Sequence, residues 1–101
     1  MNKQIIKEVL ERSQGRCERC SSNQMVQLHH IIKGRGKRRQ CETVESVKAL
    51  CWGCHHGTNG VHGKNGSKLD LELKKELEET YREQGRDENE IKYLLGGRFY
   101  I

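Results

Sequence analysis

The chain has 101 residues, 33% hydrophobic and 33% charged, with a formal net charge of +5 and an isoelectric point near 9.1. So polar a chain implies one small domain with little apolar surface to bury, the kind that needs a staple such as a bound metal. No stretch approaches the ~20 apolar residues of a membrane helix. No N-terminal apolar run reads as a signal peptide, and five cysteines cannot close a complete disulfide set, so a reducing, cytoplasmic setting is expected.

In chain order, residues 3–12 carry Ile5, Ile6, Val9 and Leu10 at helical spacing, and Gly15 can end that helix. Cys17 and Cys20 then form a C-x2-C knuckle. Residues 26–32 are rich in apolar and β-branched types, read as a strand, and contain the doublet His29-His30. Lys33, Arg35, Lys37, Arg38 and Arg39 crowd into seven residues around GRGKRR, read as a flexible loop. Residues 44–50 are a second strand or an irregular approach to the second knuckle, Cys51 and Cys54. A helix is expected from about Cys51, carrying His55, and either short or frayed because of the glycines of GTNGVHGKNG. Ser67 then reads as an N-cap, with Leu69, Leu73, Leu77 and Tyr81 at four-residue steps and Gly85 as the stop. Asp87 with Glu90 suggests a capping box for a last helix through Leu95. The C-terminal extension, 67–101, reads as scaffold behind a core of 17–62.

Four thiolates at two C-x2-C knuckles can close one tetrahedral zinc shell, and closed shells are structural. Cys41 lies outside both knuckles and is expected to be a half-buried thiol. The five histidines fall between positions 29 and 62, which suggests a second, open metal site. A zinc site of three cysteines and one of these histidines is the competing arrangement. His62, seven residues after His55, shares its helix face if the helix is regular. His56 should point away from His55, towards phosphate or solvent. Trp52, inside the second knuckle, is expected to pack on the zinc side chains or the first helix, with base stacking as the alternative. The basic run beside the doublet favours a polyanionic partner.

The order C-x2-C, LHHI, basic loop, LCWGCH resembles the HNH endonucleases with their ββα-metal fold, over residues 17–62. The continuation resembles small phage-encoded HNH proteins. The resemblance implies that His29 holds a catalytic divalent metal and that His30 is the general base. It also implies a helix ligand at His55 and a second at Asn59, with His62 as its competitor. The metal would be magnesium, manganese, nickel or zinc. The family's central asparagine falls on Ser46 here. Ser46, Asn23, Gln27 or a backbone carbonyl must then support His30, with Ser46 facing the interior beside that turn. On this view Ser46→Asn raises the rate or leaves it unchanged, unless the backbone has rearranged around serine, in which case the bulkier residue clashes and lowers activity.

The expected fold is small α+β, a ββα-metal motif with a structural zinc on the four knuckle cysteines and with flanking helices. The expected function is metal-dependent hydrolysis of DNA phosphodiester bonds, one strand per site, with Lys33, Arg35, Lys37, Arg38 and Arg39 on phosphates. The resemblance to phage proteins adds packaging proteins such as terminase as candidate partners, and the host cytoplasm as the setting. The alternatives are a zinc-stabilised DNA-binding module without catalysis and a zinc adaptor for other proteins.

Overall fold

The computed structural model describes residues 2–33, 37–57 and 60–101, the side chains of Lys37 and Arg38 excepted. Helix α1, Lys3–Ser13, starts where Asn2 Oδ1 accepts the Gln4 backbone N–H at 2.8 Å, and it ends as Gln14 and Gly15 turn left-handed. Its apolar stripe places Val9, fully buried, against Val47 and Ala49, with Ile5, Val26, Leu28 and Val44 around them.

Two short antiparallel strands, β1 (Gln27–His30) and β2 (Val47–Leu50), pair Leu28 with Ala49, His29 with Lys48 and His30 with Val47. Cross-strand partners share a face and neighbours alternate. His30 therefore projects from the face of Val47 and Ala49, and His29 from the face of Lys48 and Leu50. The strands are shorter than the sequence implies. Residues 43–46 form a turn instead, and β1 stops at His30.

The first knuckle docks on β2. Glu18 N–H donates to Ala49 O at 2.8 Å, and the Glu18 carboxylate accepts the Ala49 N–H at 2.8 Å. Arg12 pairs with the same carboxylate and also donates to Val44 O and Val47 O. Burial opposes the Glu18 charge, but Arg12 and the Ala49 N–H outweigh it and hold the carboxyl below its ordinary value.

The segment expected as a loop contains a short helix, α2 (Lys37–Cys41). Cys41 is buried, not half-buried, with its thiol 3.7 Å from Tyr93 O. Helix α3 spans Trp52–His56. Helix α4, Ser67–Glu83, has Gly66 at its cap, so Ser67 is its first residue rather than its cap. Leu69, Leu73, Leu77 and Tyr81 are all buried along one ridge and meet Ile31, Ile32, Leu50 and Val61 in the main core. Helix α5, Glu88–Leu94, is capped by Asp87 Oδ1, which accepts the Glu90 N–H at 2.9 Å. Fully buried Glu78 binds the C-terminal tail, its Oε1 accepting the Tyr100 N–H at 2.6 Å while Oε2 accepts from Arg82 at 3.0 Å. Among the described residues, no helix is long and apolar enough to cross a membrane.

Candidate metal centres

Two groups of metal-ligating side chains stand out among the described residues: Cys17, Cys20, Cys51 and Cys54, and His29, His55 and His62. In each group the ligand atoms lie within 4.8 Å of one another.

The cysteines come from the two knuckles, brought together as the first docks on β2 and the second opens α3. Cys20 Sγ lies 3.5 Å from Cys51 Sγ and 3.8 Å from Cys54 Sγ. None of the four is in a disulfide. These separations match the edge of a thiolate tetrahedron around zinc, about 3.8 Å for a Zn–S bond of ~2.3 Å, and far exceed a disulfide bond. Burial alone would raise the Cys17 thiol. Backbone N–H groups around it, with a bond from Cys20, outweigh that and hold it down to about 6. Burial and the neighbouring thiols push Cys54 up. The four cysteines thus form a group that could hold a metal such as zinc.

The histidine group sits where β1, α3 and the glycine-rich segment meet. The ring of His29 lies 5.1 Å from that of His55 and 5.3 Å from that of His62, and the last two are 4.6 Å apart. His62 does not arrive along a continued helix. After α3 the chain turns back, with Val61 N–H on Cys54 O at 3.0 Å and His62 N–H on His55 O at 2.8 Å. Glycine makes this possible. A Cβ at Gly60 would sit 2.6 Å from Gly53 O, and one at Gly66 would sit 2.2 Å from Gly60 O. Gly60 and Gly66 are therefore tightly packed, and α3 is short, as its glycines imply.

His55 Nδ1–H donates to Gln27 Oε1 at 2.8 Å, leaving its Nε2 lone pair free to bind a metal. His29 is buried, and its Nε2 has no hydrogen-bond partner. Burial pushes His29 down to about 3, assisted by the Lys33 charge and the other two imidazoles. Burial, with His56, His62 and Lys33, pushes His55 down to about 4. Both rings are neutral near pH 7, the form that donates to metals. An orphaned buried nitrogen among neutral imidazoles fits a divalent ion. Lys33 Nζ donates to His62 Nδ1 at 3.4 Å. Asp70, on the extension read as scaffold, also acts on this cluster. Its charge opposes the lowering of His29, Lys33 and His62. Its Oδ1 is buried without a hydrogen-bond partner.

His30 shares one cleft of about 220 Å³ with Leu28, His29, Lys33, His55 and His62. Its Nε2–H donates to Glu42 Oε1 at 3.1 Å, so Glu42, absent from the sequence reading, is its partner. Asn23 is exposed, and Gln27 serves His55 and His56. Ser46 is buried at 2% exposure. Its Oγ accepts the Thr43 N–H at 2.8 Å and donates to Thr43 O at 3.0 Å, while its carbonyl accepts the Ile31 N–H at 2.9 Å. Ser46 thus fixes the turn beside Glu42 and the residue after His30. Sequence reasoning had no signal for Glu42, because its reach depends on that turn.

Three expectations need correction. His56 is exposed, as expected, but does not turn away from His55, since their rings lie 4.2 Å apart and both donate to Gln27. Trp52 is not packed inward but 51% exposed. The basic residues are not one loop array: Lys33 and Arg39 are exposed, and Lys37 and Arg38 begin α2. Arg35 and Asn59 lie outside the described residues.

A bigger cavity of about 420 Å³ between β2 and α4 shares no lining residue with the histidine cleft, and four of its eight lining residues are glutamates. Against Arg12 and Lys48, those glutamates leave the lining net negative. Compared with protein-family models, curated proteins and solved structures, the chain matches none.

Proposed function

We propose that this protein is a metal-dependent DNA endonuclease of the ββα-metal type, stabilised by a structural zinc on Cys17, Cys20, Cys51 and Cys54. The observation that carries the reading is the convergence of neutral His29, His55 and His62 in the cleft that also contains His30. Two antiparallel strands followed directly by the short helix that carries His55 support it.

In this reading His29, His55 and His62 hold the catalytic divalent ion. When bound, that ion supplies Lewis-acid stabilisation of charge on the scissile phosphate and the departing oxygen. Glu42 holds Nε2–H of His30, so Nδ1 is the lone pair that accepts a proton from water. The water oxygen bonds to phosphorus as the phosphorus–oxygen bond to the departing strand end breaks. Lys33 stands at the cleft to meet a phosphate, and the +5 charge favours the polyanion.

Plasmid nicking with magnesium, manganese or nickel separates this reading from a DNA-binding module or a protein adaptor. Nicking should appear with at least one of these ions. His30→Ala should retain DNA binding and lose about 10²–10⁴-fold in rate. His29→Ala should lose cleavage together with the ion. Shifted DNA without nicking under any of the ions would leave the binding module standing.

A further inference from the structure

We propose that Trp52, beside His56 and the turn that carries Met25, is a stacking platform for an unpaired nucleobase, so that the DNA engaged beside the histidine cleft is single-stranded. This deepens the nuclease reading and rests on it for the identity of the polymer.

Two independent features at one place point to a ligand. Trp52 is 51% exposed and Met25 69% exposed, although both are large and apolar. Exposed indole surface forgoes burial that an ordinary fold would take. Met25 also holds a left-handed backbone, φ 47°, which is unfavourable for a side-chain-bearing residue. Their backbones are adjacent, because the Trp52 N–H donates at 3.2 Å to the carbonyl of Gln24, the residue before Met25. Trp52 lies between Cys51 and Cys54, so a metal held by the four cysteines would fix its mount.

The surface runs into the histidine site. The Trp52 ring lies 6.2 Å from that of His56, which lies 4.2 Å from His55 and 5.7 Å from His62. A base on Trp52 would therefore sit a short step along a strand from a phosphate at the cluster. Its size favours a base over a second copy of the chain. Trp52 and Met25 together expose on the order of 250 Å², whereas a stable interface takes about 800 Å² from each partner. Every base has a π-face, so such a platform would bind without strong sequence preference.

Trp52 is the chain's only tryptophan, so its fluorescence reports this surface alone. The zinc-loaded protein, without added magnesium, manganese or nickel, is titrated at fixed salt with a 12-nucleotide oligo-dT and with a duplex of the same length. Saturable quenching by the single strand, and much less by the duplex, is expected. By anisotropy of labelled oligo-dT, Trp52→Ala should bind about 5- to 150-fold more weakly, the range that base–aromatic stacking spans. Trp52→Phe should recover most of that, and retained zinc confirms that both variants are folded. Equal quenching by duplex, binding without quenching, wild-type affinity in Trp52→Ala, or a concentration-dependent blue shift without DNA would each overturn the proposal. Quenching in a protein that never nicks would support the platform and remove the nuclease reading. Nicking without quenching would do the reverse.

Discussion

Ser46→Asn should clash and lower activity, the second of the two outcomes open at this position, because the site around the serine is closed. Ser46 is 2% exposed and its hydroxyl is committed at both ends to Thr43. Its N–H also donates to Thr43 Oγ1 at 3.1 Å, and that oxygen bonds Tyr81 OH at 2.6 Å, tying the turn to α4. Asparagine must place two further heavy atoms in this closed site. Overpacking of that kind costs about 1–3 kcal/mol, and losing the acceptor for the Thr43 N–H costs a similar ~1–3 kcal/mol. These overlap, so a net loss of about 2 kcal/mol is expected, or roughly 8–16 °C in melting temperature for a domain near this size. The displaced turn carries Glu42 on one side and receives Ile31 N–H on the other, so His30 shifts as well. A misplacement near 1 Å costs up to about 10²-fold in rate. Thermal melts at saturating zinc, paired with nicking rates, test this. A Ser46→Asn protein with unchanged melting temperature and undiminished nicking would refute the reasoning. Ser46→Ala should show the stability loss without the crowding.

Serine at any one of Cys17, Cys20, Cys51 or Cys54 should abolish the folded state, because metal binding energy there is folding energy; circular dichroism with elemental analysis checks it, expecting about one zinc per folded wild-type chain. Gly60→Ala would place a Cβ 2.6 Å from Gly53 O and 2.8 Å from the Cys54 carbonyl carbon. Backbone on both sides cannot yield, so the turn-back that delivers His62 should open and affinity for the second metal should fall, measured by calorimetry on the zinc-loaded protein. Burial would raise the Glu78 carboxyl, but N–H groups of Tyr100 and Ile101 and the Arg82 guanidinium outweigh it and hold it below the ordinary carboxylate value. A depressed folded value means the stabilisation is complete above the unfolded value of about 4.3 and disappears as pH falls through the folded one. Urea melts should therefore show Glu78→Gln less stable than wild type at pH 6, with the gap closing towards pH 3.

Much was legible in the sequence because it follows from local spacing. The C-x2-C pairs announce a four-cysteine group since each knuckle is one tight turn. The four-residue steps of Leu69, Leu73, Leu77 and Tyr81 define the buried ridge of α4 since a helix stacks i and i+4 on one face. Asp87 and the α1 stripe were legible for the same reason. The basic run hid α2, because its glycines signalled a loop while Lys37 to Cys41 are all residues a helix tolerates.

What the sequence could not decide was who meets whom across long separations. His62 joins His29 and His55 through a glycine-packed turn rather than a helix repeat. Glu42 reaches His30 only because Ser46 and Thr43 lock the turn between them. Gln27 serves His55 and His56 instead of His30, because strand alternation sends it to the other face of the sheet. Trp52 stands out of the core because Cys51 and Cys54 on either side are drawn inward to Cys17 and Cys20. Each outcome depends on register, backbone approach or competition for one acceptor, and those quantities exist only once the chain has closed on itself.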